Sequence, residues 1–153
     1  MVPVVVGSSP IRHPVSRFGR TRQTAEIAVG DRRVPLIEEP LLDDIDVGDL
    51  EGQTIDDYRA WKHAHDRAQP FPGGETLDDA ARRYAGALER LLARTERRVL
   101  IVCHEIPVRY ALNAAAGSDE LDGPAHEIDN CVPHLFDEAG LGRAVDGIRR
   151  LAR

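Results

Sequence analysis

Cysteine is almost absent from this sequence. Cys103 and Cys131 are its only two, too few and too far apart for a zinc motif or a disulfide framework, so both read as reduced structural thiols. Positive charge is in deficit as well, with a formal net charge of −6, which argues against a general nucleic-acid binder because phosphate neutralisation needs a basic face. Lysine occurs once, at Lys62, against many arginines, a bias that carries little functional weight. No apolar run approaches the length that crosses a bilayer. The apolar start at residues 1–6 is short and lacks a basic leader and a small-residue cleavage site, so the expected location is the cytoplasm. Internal repeats and low-complexity tracts are also missing.

What remains is the composition of a soluble globular chain, 42% hydrophobic and 30% charged, in 153 residues that suffice for one domain with one core. Residues 2–6 are β-branched and bounded by Gly7-Ser8-Ser9-Pro10, which reads as a short strand. Residues 11–19 read as irregular, 21–29 as a helix ending before Gly30, and 34–38 as a strand that Pro35 confines to an edge. After an acidic turn at 42–52, Thr54 with Asp57 and Thr76 with Asp79 are helix-start signals. The first helix carries Ile55, Tyr58 and Trp61 on one face. The second runs from Leu77 to about Arg94 with Leu77, Ala80, Tyr84, Leu88, Leu91 and Leu92 as its stripe. Residues 99–103 (VLIVC) are unbroken apolar, as in a parallel strand covered on both faces. Pro107 fits a first helical turn and the helix continues over 108–116. Residues 131–136 are an expected last strand, and Leu141, Val145, Ile148 and Leu151 mark a final amphipathic helix. Strands alternating with helices imply a three-layer α/β/α domain with a mostly parallel sheet, spanning residues 1–153 as one unit.

Three features carry potential chemistry. In open α/β sheets ligands bind beyond the carboxyl ends of the strands, where His104 follows VLIVC and precedes a helix start that favours anions. A histidine there can attack phosphorus, donate to a phosphoryl oxygen, or merely hydrogen-bond to backbone. Arg20 opens the segment RTRQTA, and arginine's planar, permanently charged fork matches phosphate oxygens, although arginines at helix starts are usually solvated. The acidic loop holds Asp43, Asp44, Asp46, Asp49 and Glu51. It fails as a calcium loop because Gly48 is misplaced and Ile55 stands where the bidentate Glu belongs. His63 and His65 are two apart on a helix, face different ways and read as surface residues, so no metal or cofactor is expected.

Together these pieces resemble the histidine phosphatase superfamily, the phosphoglycerate mutase-like fold. RTRQTAEIA is similar to the helix start bearing the family's second phosphate arginine, here Arg20. LLDDIDVGDLEG is similar to its L-x-E-x-x-x-G-x-x-E-G loop, FPGGETLDDAARRY to its P-G-G-E-S helix start, and VLIVCHEIPVRYAL to the segment bearing its second histidine, here His104. The resemblance implies that Arg20 and His104 clamp a phosphate. It places Asp44 where the family's leaving-group acid usually is a Glu, and Glu105-Ile106 where it has Gly-Gly. The family's nucleophile lies in an Arg-His-Gly motif that does not occur in this sequence. Arg12-His13-Pro14 is the nearest substitute, with His13 as a weak nucleophile candidate, because proline removes a donor where glycine would admit the phosphate.

On that resemblance, VPVVVGSSP corresponds to the family's second strand and its turn. Residues 11–19 would then contain an insertion, and the chain would begin one strand–helix unit late, an N-terminally shortened fold. The expected ligand is a small phosphomonoester or inorganic phosphate. A phosphohydrolase acting through a phosphohistidine and a non-catalytic phosphate-binding or interaction module both remain open, as does a truncated gene product. Apolar faces left uncovered by the missing unit imply a homo-oligomer.

Overall fold

In chain order the described residues, 12–96 and 98–152 of a computed structural model, form β1 (His13–Val15), α1 (Gly19–Val29), β2 (Leu36–Glu38), α2 (Ile55–Ala64), α3 (Leu77–Leu92), α4 (Glu105–Ala115) and α5 (Glu138–Leu151). Local chemistry sets the helix starts. Thr54 and Asp57 form the reciprocal capping box of α2, each side chain accepting from the other's amide. Thr76 Oγ1 accepts from the Asp79 amide at 2.8 Å to open α3, and Asp137 does the same for α5 through the Gly140 amide.

Of the stripe read on α3, Leu77, Ala80, Tyr84 and Leu88 are buried and Leu91 and Leu92 partly so; with Ala81 and Ala85 this face packs against Tyr110, Ala111 and Ala114 of α4 and Ala144, Val145 and Ile148 of α5. The α4–α5 crossing is close because residue 147 is glycine. A Cβ there would lie 2.8 Å from Ala114 Cβ, inside contact distance. A polar clamp ties α2 and the following loop to α4: Lys62, Arg67 and Arg109 all reach the Asp122 carboxylate, at 2.8, 2.7 and 2.8 Å. No helix among the described residues is long and apolar enough to cross a membrane.

The sheet is parallel, as the alternating elements imply, and its details differ from the sequence reading. Strand β1 occupies residues read as irregular and leads through Ser16, Arg17 and Phe18 to α1 and Arg20. The strand expected at residues 2–6 lies outside the described residues. β1 pairs with β2 in parallel, His13 opposite Leu36 and Val15 opposite Glu38, and on its other side with residues 99–103. That second pairing is short. Val102 N donates to Pro14 O, and Ser16 N donates to Val102 O, each at 3.2 Å, leaving one bridge at Val15–Val102. Pro14 is the reason: the missing N–H at residue 14 is the donor that a parallel ladder would aim at the Leu100 carbonyl.

Residues 100–103 are accordingly half-buried, not covered on both faces. The expected strand at 131–136 forms no ladder among the described residues. Pro133 lacks a donor, Cys131 sits at φ 62°, and Val132 and Leu135 are exposed.

His13 is buried in β1, where its Nδ1 accepts a 2.9 Å hydrogen bond from the Leu100 amide. The imidazole thus satisfies a backbone donor beside the gap Pro14 makes in the ladder. Replacing it, His13→Ala, leaves that amide unpaired, and urea denaturation should show a loss of about 1–3 kcal/mol. Anion affinity should be unchanged; a stability-neutral variant that loses anion binding would contradict this placement.

Candidate functional site

The parallel pairing of β1 with residues 99–103 brings the two chain segments to a common carboxyl end, the position where α/β sheets bind ligands. β1 leads to Ser16 and then to α1, which presents Arg20 in its first turn. Residues 99–103 lead to His104, the N-cap of α4. Neither helix start has a side-chain cap, so amide donors of both first turns are free of that kind of partner and favour negative charge nearby. The acidic loop folds over this end and delivers Asp44.

The three side chains meet. Arg20 Nη2 lies 2.8 Å from Asp44 Oδ2 and 3.0 Å from His104 Nδ1, and Asp44 Oδ2 lies 3.3 Å from the same Nδ1. On the other side of the ring, His104 Nε2 is 2.8 Å from Ser16 Oγ, which is 2.8 Å from Thr21 Oγ1; Thr21 in turn donates to Phe18 O at 2.7 Å. With Thr21 spending its proton on Phe18 O, Ser16 donates to Thr21, and His104 donates from Nε2 to Ser16. Nδ1 then carries the lone pair that accepts from Arg20. Phe18 completes the housing: its ring meets His104 edge-on at 4.8 Å and lies under the Arg20 guanidinium at 4.6 Å. Burial lowers the His104 pKa below its ordinary 6.5, and Arg20 pushes the same way, against the opposing pull of Asp44. The ring is therefore neutral at neutral pH, with its open lone pair facing the arginine. Burial pushes the adjacent Cys103 thiol up to about 12, so it is protonated and no nucleophile.

The acidic loop is held from behind. Arg83 of α3 donates to the carbonyls of Leu41, Asp43 and Asp44 at 3.1, 2.8 and 3.2 Å and pairs with Glu75, whose Oε1 also accepts from the Asp46 amide at 3.0 Å. Gly48 sits at φ 53° against this support, where a Cβ would collide with the Pro72 carbonyl. Asp43 faces Arg17, accepting from its amide at 2.7 Å and from its Nε at 2.6 Å.

Of the residues singled out in the sequence, Arg20, His104 and Asp44 come together. His13 does not join them. Its partner Leu100 is four residues before His104, roughly 13 Å along an extended chain. Proline inside the strand and the backbone bond to Leu100 give His13 a structural job at the other end of the sheet. Glu105 points along α4 to Arg109, 3.0 Å away, so its charge is paired away from the cluster. Ser16, Thr21 and Phe18 are additional site residues; the serine and threonine resemble ordinary polar turn residues in sequence. Arg83 is invisible as a loop support because its carbonyl partners lie about forty residues away in sequence. Among the described residues no cluster of metal-binding side chains occurs.

At the carboxyl ends of a parallel sheet the structure thus brings together an arginine, a histidine and a carboxylate. The sequence pattern of the histidine phosphatase superfamily (branch 1) matches residues 7–147, and the chain belongs to that family. It is 35% identical over 121 residues to a Proteus mirabilis protein named "Probable phosphoglycerate mutase GpmB", covering 73% of this chain and 56% of that relative. It is 28% identical over 132 residues to the "Uncharacterized phosphatase PhoE" of Bacillus subtilis, covering 86% and 63%. The structure of Bacillus stearothermophilus YhfR superposes with a TM-score of 0.60 at 26% identity, over 86% of this chain and 65% of that one. The chain thus spans just over half the length of the mutase it matches.

The lowered His104 pKa has a sign that can be checked. The unfolded chain binds this proton more readily than the folded one, so the stability contribution is present above pH 6.5 and is lost as pH falls through the folded value. Buried His13 acts in the same direction. Melting temperature should fall between pH 7 and pH 5.5, with a shallower slope in His104→Gln. An unchanged slope would show that His104 is not buried in its neutral form.

Proposed function

We propose that this chain binds the phosphoryl group of a small phosphomonoester, or inorganic phosphate, between Arg20 and His104. The observation that carries this reading is the 3.0 Å approach of Arg20 Nη2 to His104 Nδ1 at the carboxyl ends of parallel strands. The guanidinium supplies permanent charge, and the imidazole, on taking a proton at Nδ1, supplies a second donor. Ser16 and Thr21 fix the ring, and the starts of α1 and α4 add amide dipoles of the favourable sign.

Membership of the family and the position of Asp44 favour a second reading, a phosphomonoesterase. In that reaction the ester P–O bond breaks, an acceptor takes the phosphoryl group, and Asp44 in its acid form gives its proton to the departing oxygen. Among the described residues no second imidazole faces Arg20 and His104. The residues of this cluster therefore bind, orient and protonate, and the acceptor is water or a group supplied from elsewhere. Self-association belongs to the same reading: the short pairing of residues 99–103 and the exposed Val132 and Leu135 leave apolar surface for a second copy. Light scattering should give a dimer or larger; a monodisperse monomer that binds no apolar dye counts against it.

Titration calorimetry with inorganic phosphate and tungstate tests the binding. Arg20→Ala and His104→Ala should each weaken it tenfold or more, the scale of one charge-assisted hydrogen bond. Absence of binding by the unaltered chain would overturn the proposal. Turnover of p-nitrophenyl phosphate, lost in His104→Ala and kept in His13→Ala, would establish the second reading.

A further inference from the structure

The geometry points to Asp44 as a built-in competitor for the anion site: its carboxylate holds the place of a phosphoryl oxygen until a ligand displaces it. The inference rests on the phosphate reading above and adds an affinity-setting role for this residue. An oxygen clamped by Arg20 and by His104, once Nδ1 has taken a proton, must lie at about 2.7–3.2 Å from both nitrogens. Asp44 Oδ2 lies 2.8 Å from Arg20 Nη2, inside that range, and 3.3 Å from His104 Nδ1, just beyond it, so it is the arginine that holds the carboxylate in the notch. Two anionic oxygens do not share that notch, so the ligand enters only as the carboxylate leaves.

The surroundings decide how it leaves. The loop backbone is pinned, because Arg83 holds the carbonyls of Leu41, Asp43 and Asp44, and Glu75 holds the Asp46 amide. The Asp44 side chain is still 30% exposed, and among the described residues its one hydrogen bond outside the notch is the 3.1 Å bond it accepts from the neighbouring Ile45 amide. Displacement is therefore a side-chain rotation toward solvent over a fixed loop. Asp43 is the internal contrast. Both of its oxygens are committed to Arg17, and its side chain is 12% exposed. The two adjacent carboxylates have different jobs: Asp43 anchors, and Asp44 occupies.

The experiment is titration of inorganic phosphate and tungstate, at constant ionic strength, into the unaltered chain and into Asp44→Asn, Asp44→Ala, Asp43→Asn, Arg20→Ala and the Asp44→Asn/Arg20→Ala pair. Melting curves establish that each variant is folded, and the two substitutions at position 44 guard against a folding defect in either. Removing the competitor should tighten binding at least fivefold in both Asp44 variants and not in Asp43→Asn. The gain should shrink in the Arg20→Ala background, because the competitor acts through that arginine. Equal or weaker binding by both Asp44 variants overturns the inference and leaves the phosphate site standing. Equal tightening by Asp43→Asn also overturns it, since general charge removal would then explain the effect. Absence of binding by every protein overturns the site and the competitor together.

Discussion

Two backbone hydrogen bonds, Val102 N to Pro14 O and Ser16 N to Val102 O, are the constraint on which the site depends. They join segments 88 residues apart and set them in parallel, so that Ser16 and His104 end side by side. A parallel pair places both carboxyl ends, and both following helix starts, at the same edge of the sheet. Arg20 comes with the first segment and His104 with the second. The pairing is short because proline interrupts its ladder, and the His13 imidazole accepts the Leu100 amide beside the gap. Pairing at one end of β1 is thus sustained by a side chain so that the other end stays in register.

Charge is distributed around this edge in matched pairs that differ in how firmly they are held. Arg17 with Asp43 is a bidentate contact involving both backbone and side chain, and it fixes the loop that follows β1 against the acidic loop. Arg20 with Asp44 is a single contact between partly exposed groups, of the kind that contributes little to stability. Folding therefore loses little when that pair opens. The firm interactions lie one layer behind, in the Arg83–Glu75 clamp and the carbonyls it gathers. A rigid backbone thus carries a loosely paired side chain in front of it.

Much of the fold was legible in the sequence because it rests on local signals. Thr54–Asp57 and Thr76–Asp79 are capping chemistry within four residues, and the apolar spacing of α3 and α5 reports which face meets the core. Arg20, His104 and Asp44 were legible by resemblance of whole segments, and the structure brings them within hydrogen-bonding reach. What the sequence concealed depends on partners far along the chain. Strand β1 contains a proline and only three residues, so local preference reads it as irregular; it is a strand because β2 and residues 99–103 flank it. Residues 131–136 show the converse. Their composition suits a strand, yet no described neighbour offers them a ladder. Burial of residues 99–103 was overestimated for the same reason, since five apolar residues report a preference for cover and not its presence.

The replacement of the family's usual Glu by Asp at position 44 acquires meaning from this arrangement. The side chain is one methylene shorter, and the backbone that carries it is fixed by Arg83. That short arm ends in the notch between Arg20 and His104. A single carboxylate cannot fill the notch and face a departing oxygen at the same time, so the two states exclude each other. On the competitor role proposed for Asp44, an oxygen entering the notch would turn the carboxylate outward, toward solvent. On that proposal, the ties that Arg83 makes to the loop carbonyls confine the change to the side chain. If the loop backbone could retreat with the side chain, the carboxylate displaced by an anion would be lost to solvent and not held at the edge of the site.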